Sequence, residues 1–144
     1  MVFVTLLLEA YTPTNSRSQV IETQKNRIIM DAYNANPTSM RAALINFHTI
    51  CGENHLLILG DMRELGTASE EEHRNILGLM KELGYKVAYL VGPNFCAYNE
   101  NPDWMTFAKV EDLCQYIEDH PVSGKMMLIK GSRGIQLEKV LPLL

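Results

Sequence analysis

The stretch DAYNANPTSM, Asp31 to Met40, sets a carboxylate, a phenol and two amides ahead of a proline. A carboxylate at a strand end, as Asp31 is placed, can accept hydrogen bonds from the two vicinal hydroxyls of a ribose. The same carboxylate is also favourable beside a helix N-terminus through the dipole alone. Asn36 before Pro37 has the residue types of an N-cap followed by the first helical position, which explains it without a ligand. Asn34 has no such task beyond the turn. A second polar stretch, GDMRELG (Gly60 to Gly66), flanks Arg63 with Asp61 and Glu64, a set that suits an internal ion pair as well as a substrate contact. A third, KGSRG (Lys130 to Gly134), places Lys130, Ser132 and Arg133 beside backbone that two glycines leave bare. Such a turn opening a helix favours an anion, and a solvated basic turn is its plain alternative.

The elements around these stretches must bring them together. QVIET and RIIMD alternate around QKN as a hairpin that feeds a central strand. Met40, Ala43, Leu44 and Phe47 keep helical spacing towards Gly52, and HLLILGD reads as a strand buried on both faces. Ser69 and Glu72 have capping-box spacing ahead of a helix that carries Ile76, Leu77, Met80 and Leu83 and stops at Gly84. KVAYLVG is the next strand, followed by a loop holding Pro93 and Pro102, a short run near Met105 to Ala108, and a helix from about Val110 to Asp119. KMMLIK is the last strand, with a short amphipathic helix through Leu137, Val140 and Leu141 after it. Alternating strands and helices predict an α/β domain with a mainly parallel sheet, an antiparallel hairpin strand at its amino-terminal side and right-handed crossovers. All three polar stretches follow strands, so all three should open on the carboxyl edge of that sheet, where ligands collect in such folds.

Composition narrows the partners. The 144 residues fit one domain, with 47% apolar and 21% charged residues. A net charge of −4 offers no broad attraction for nucleic acid or acidic membranes. Cys51, Cys96 and Cys114 are odd in number and lack CxxC spacing, which suits reduced thiols of a cytoplasmic protein. Cys114 falls on the apolar stripe of its helix as a small core residue, and His73, in the first turn of its helix, is expected to be structural or to support a ligand-contacting residue. The opening MVFVTLLLEA lacks a basic region and is interrupted by Glu9, so it is read as packing on the domain or as the remnant of a preceding one, residues 1–10. No Ser/His/Asp triad, metal-ligand spacing or GxGxxG is present.

Taken together and in this order, DAYNANPTSM, LGDMRELG with SEEEH, and IKGSRG with LEKV resemble the carboxy-terminal domain of the Mur ligases, and within them the MurF branch, which adds D-alanyl-D-alanine to UDP-N-acetylmuramoyl-tripeptide. YTPTNSRSQ, with Arg17, is similar to the segment where that domain begins, which sets the domain at residues 11–144. The resemblance implies a Rossmann-like three-layer lid that closes on a central ATPase domain, in an enzyme of peptidoglycan precursor synthesis that uses ATP and Mg2+. It implies that Arg17 reaches ATP phosphates, that Asp31 meets the ribose, and that Asn34 and Asn36 lie near the nucleotide. Asp61, Arg63, Lys130, Ser132 and Arg133 would line the dipeptide side, with Lys130 or Arg133 as the cation for its carboxylate. It also implies partners: the central and amino-terminal domains of the same ligase. A stand-alone flavodoxin-like nucleotide-binding or interaction module is the alternative. The only Gly-Lys pair, Gly124-Lys125, is followed by Met126 and not by Ser or Thr, so no phosphate-binding loop is expected here and the domain alone should be inactive.

Overall fold

The computed structural model describes residues 2–5 and 18–144, so Arg17 and most of YTPTNSRSQ lie outside the described residues. Among the described residues seven strands form one sheet: β1 (Val2–Thr5), β2 (Gln19–Thr23), β3 (Arg27–Asp31), β4 (His55–Gly60), β5 (Ala88–Val91), β6 (Trp104–Phe107) and β7 (Met126–Lys130), in the order β1-β2-β3-β7-β4-β5-β6. The predicted hairpin is present, with β2 antiparallel to β3 and β1 antiparallel to β2. From β3 to β6 every neighbour is parallel.

Handedness then dictates the layers. The chain moves from β3 past β7 to β4, β5 and β6 in one direction, so right-handed crossovers put α1 (Pro37–His48), α2 (Ser69–Leu83) and α3 (Pro93–Tyr98) on one face. The return from β6 to β7 runs the other way, so α4 (Val110–Asp119) covers the opposite face together with a carboxy-terminal 3-10 segment, Leu137–Leu143. Two cores result. Val20, Ile29, Leu57 and Leu59 meet Met40, Leu44, Phe47, Met80 and Phe95 on the first face; Ile28, Ile58 and Ile129 meet Leu113, Ile117 and Val140 on the second. Successive residues of β4 feed opposite cores, which is why HLLILG is apolar without alternation.

Four local expectations are corrected. Ser69 and Glu72 do not form a capping box: a 3-10 turn, Gly66–Ala68, runs directly into α2, its N-cap is Ala68, and the Ser69 hydroxyl donates to Asn94 Oδ1 at 3.0 Å instead. The reciprocal box is at α1, where Asn36 Oδ1 accepts from Ser39 N at 2.8 Å and Ser39 Oγ accepts from Asn36 N at 3.1 Å. Pro93, expected in a loop, instead opens α3 after Gly92, at a position whose N–H would have no helical partner. The final helix is 3-10, as suits a short segment holding Pro142. Cys114 is only half-buried, with Sγ 3.7 Å from the Lys139 carbonyl. All three thiols are free, and burial pushes each of them up from its ordinary pKa.

Candidate functional site

Strands β3, β7 and β4 are consecutive in the sheet, so the loops after Asp31, Lys130 and Gly60 leave one edge side by side. Two close backbone contacts seal them. A Cβ on Gly131 would lie 2.8 Å from Leu137 Cδ1 and 3.0 Å from Gly60 Cα, so the end of β7 has no room for a side chain against β4. Ser132 bridges the same pair: its N–H and its hydroxyl both donate to the Asp61 carbonyl, at 3.2 and 2.7 Å.

The Asp31 turn is built around a buried ion pair. Register sets Asp31 opposite Lys130, and the two side chains are 3% and 2% exposed. Lys130 Nζ donates to Asp31 Oδ2 at 2.9 Å and to the Asn34 carbonyl at 2.8 Å. Asp31 Oδ1 accepts from the N–H groups of Tyr33 and Asn34, both at 3.2 Å. The ammonium therefore fastens the turn from below and faces no solvent. The amide side chains of Asn34 and Asn36 belong to exposed residues above it, with Asn36 also engaged as the helix cap.

Asp61 is likewise committed inside the domain. Its Oδ2 accepts from Asn94 N and Nδ2 at 2.8 and 2.9 Å, and its Oδ1 from Phe95 N at 3.0 Å, which caps α3. Arg63, by contrast, is exposed and lies across Gly134, where a Cβ would be 2.6 Å from its Cζ. Arg133 is exposed too, with its guanidinium 5.6 Å from the centre of the Tyr33 ring. No ion pair joins Arg63 to Asp61 or Glu64 among those recorded for the described residues.

A cleft of about 520 Å3 lies among the three loops, bordered by Tyr33, Asn34, Asn36, Arg63, Glu64 and Arg133. A second of about 480 Å3 continues it over Arg63, Gly66 and Asn94. Exposed guanidiniums and amides around an open hollow can grip anionic oxygen and orient a polar ligand. The candidate residues therefore divide. Arg63, Arg133, Asn34 and Asn36 are presented to solvent, whereas Asp31, Lys130, Asp61 and Ser132 hold the loops that present them. The role of Asn94 was not visible in the sequence, because only the unforeseen α3 brings it to Asp61. Glu64 was noted for its charge, but its unusual backbone, at φ 62°, has no sequence signature.

Comparison with known proteins agrees with this architecture. A family model described as Mur ligase, glutamate ligase domain, matches residues 16–133. The UDP-N-acetylmuramoyl-tripeptide–D-alanyl-D-alanine ligase of Rickettsia prowazekii (strain Madrid E) is 36% identical over 131 residues, covering 88% of this chain and 29% of that protein. The ligase of the same description from Bacillus subtilis (strain 168) is 31% identical over 136 residues, covering 88% and 30%. Among solved structures, MurF from Acinetobacter baumannii superposes with a TM-score of 0.76 at 28% identity, covering 94% of this chain and 31% of that one. MurF ligase from Thermotoga maritima in complex with ADP shares the fold at a TM-score of 0.70 and 21% identity, over 86% and 29%. The chain thus spans less than a third of the length of these relatives. It belongs to the Mur ligase, glutamate ligase domain family, and corresponds to the carboxy-terminal domain of MurF ligases.

Proposed function

We propose that this domain is the lid of an ATP-dependent ligase that joins D-alanyl-D-alanine to UDP-N-acetylmuramoyl-tripeptide in peptidoglycan precursor synthesis. The observation that carries the reading is the cleft at the β3, β7 and β4 ends, where Arg63 and Arg133 are the exposed cations and the amides of Asn34 and Asn36 stand on the adjoining rim. In this reaction ATP phosphorylates the tripeptide carboxylate, the dipeptide amine attacks the acyl phosphate carbon, and inorganic phosphate leaves. The lid contributes placement. Fixing amine and acyl phosphate in register can supply roughly 7–11 kcal/mol of the barrier.

The nucleotide lies on the side of the Asp31–Asn36 turn, with Arg17 towards its phosphates, and the dipeptide on the side of Arg63 and Arg133. Lys130 is reassigned in this reading from a dipeptide contact to the support of the turn. In this reading Mg2+ is held mainly by the central domain of the ligase. No helix among the described residues is long and apolar enough to cross a membrane, which suits the cytoplasmic setting of such a ligase.

The test is Arg133→Ala in the complete ligase. Arg133 is exposed and holds no buried contact, so folding should be little changed, while the KM for D-alanyl-D-alanine rises about tenfold or more, as for loss of a charged hydrogen bond of roughly 1.5–3 kcal/mol. The KM for ATP should move far less. A defect confined to ATP would place the KGSRG turn on the phosphate side and refute the assignment of the dipeptide to it. Residues 1–144 alone should release no phosphate from magnesium-ATP, with or without the dipeptide.

A further inference from the structure

We infer that His73 is a positioning residue for the amine-substrate side of the cleft, acting through the backbone of the loop that carries Arg63. The inference rests on the ligase reading above. His73 is fully buried on α2, edge-on to Phe95 with ring centres 4.9 Å apart. An apolar residue would fill that place without the cost of burying two ring nitrogens. Both nitrogens are used. Nδ1 stands 2.7 Å from the Ser69 carbonyl, one turn back on the same helix, and Nε2 accepts the Met62 N–H at 3.1 Å. These partners put the ring proton on Nδ1. Asp61 Oδ1 lies 3.9 Å from Nε2, but a nitrogen already accepting from Met62 makes no ion pair with it.

The Met62 amide needs this acceptor. Strand β4 ends at Gly60; the next amide, Asp61 N, is taken by the Val91 carbonyl at 2.9 Å, and the one after has left the ladder while Met62 is still buried. Two residues further on, Glu64 holds a left-handed backbone at φ 62°, a conformation that a non-glycine residue keeps only when its surroundings over-determine it. His73 supplies one such restraint, between the rigid strand and the strained residue. It thereby sets the direction in which Arg63, next in the chain, crosses Gly134 to the cleft.

The side-chain geometry suggests a pair of variants. In His73→Gln the amide oxygen reaches the place of Nε2 and can still accept from Met62. In His73→Asn the amide reaches only the place of Nδ1, which keeps a donor for Ser69 and leaves Met62 without an acceptor. In the complete ligase, His73→Asn should raise the KM for D-alanyl-D-alanine about tenfold while the KM for ATP stays within about twofold. Hydrogen exchange of the 61–65 segment should be at least tenfold faster, and His73→Gln should restore most of both. A folded His73→Asn enzyme with fast exchange and an unchanged dipeptide KM would overturn the inference while leaving the ligase reading intact. Unchanged exchange would overturn it as well. If His73→Asn does not fold, the wild type decides: the Met62 amide must exchange as slowly as the amides of β4, and exchange at the rate of the outer loop would refute the restraint. Absence of dipeptide-dependent phosphate release in the wild-type ligase is a failure of the ligase reading, and the exchange comparison still judges His73.

Discussion

Lys130→Met should destabilise the domain by about 3–5 kcal/mol, because it takes the Lys130 ammonium away from the buried Asp31 carboxylate. For a chain of this size that corresponds to a fall in melting temperature on the order of 10 °C. The loss has little to do with the Coulomb energy of the pair itself, since burying two charges costs about what their attraction returns. It arises because methionine fills the volume of Lys130 while the carboxylate keeps its charge and its burial and loses a charged donor at 2.9 Å. The Asn34 carbonyl loses its donor in the same step. Adding Asp31→Asn to Lys130→Met should therefore recover part of the stability, because the side chain facing the methionine is then neutral. The exposed pairs Arg74–Glu70 and Lys139–Glu111 are solvated and screened, and breaking them should change stability little. Urea denaturation followed by Trp104, the sole tryptophan and a buried residue of β6, provides the measurement. A Lys130→Met protein as stable as the wild type, or a double variant no better than the single, would refute the account.

That prediction also marks how far the sequence could be read. The apolar runs of β3, β4 and β7 were legible because strands covered on both faces need no alternation, and their polar sequels were correctly expected on one edge. The order of those strands was not legible. Asp31 and Lys130 are 99 positions apart, and only the return of the chain across the second face of the sheet makes them neighbours. Each looked like an exposed ligand group because each follows a strand; paired, they become an internal fastening. The bonding of Asp61 was not legible for a related reason. Its partners belong to α3, a six-residue helix whose Gly-Pro start looks like a loop to any rule based on periodicity. Local pattern failed once more at Ser69 and Glu72, where the spacing of a capping box is satisfied but the preceding 3-10 turn already occupies the cap. What survived best were the residues whose surroundings are local or solvent: Asn36 at its cap, and Arg63 and Arg133 outside.

Gly92→Ala should cost the domain on the order of 3 kcal/mol or more and should do so through Asp61. Gly92 has φ 126° and ψ 159°, a region essentially confined to glycine, where a side chain alone costs of order 1–3 kcal/mol. Space makes the position less tolerant still. An added Cβ would lie 2.3 Å from Asp61 Cγ and 2.5 and 2.6 Å from its two oxygens, well inside contact distance. Asp61 has nowhere to retreat, because its oxygens hold Asn94 and Phe95 at the start of α3 and its carbonyl holds Ser132. Displacing it leaves buried N–H groups unpaired, at about 1–3 kcal/mol for each group lost. The Gly60–Gly66 loop and the KGSRG turn would both lose their common anchor, so under the function proposed above dipeptide use in the complete ligase should fall along with stability. Gly78→Ala is the natural comparison: Gly78 is an exposed position of α2 with nothing within 4 Å of an added Cβ, and alanine there should stabilise by about 0.5–1 kcal/mol. The two substitutions add the same methyl group, so their difference in urea midpoint isolates the site from the chemistry. Equal stabilities for Gly92→Ala and the wild type would mean that Asp61 is free to move and does not anchor the loops.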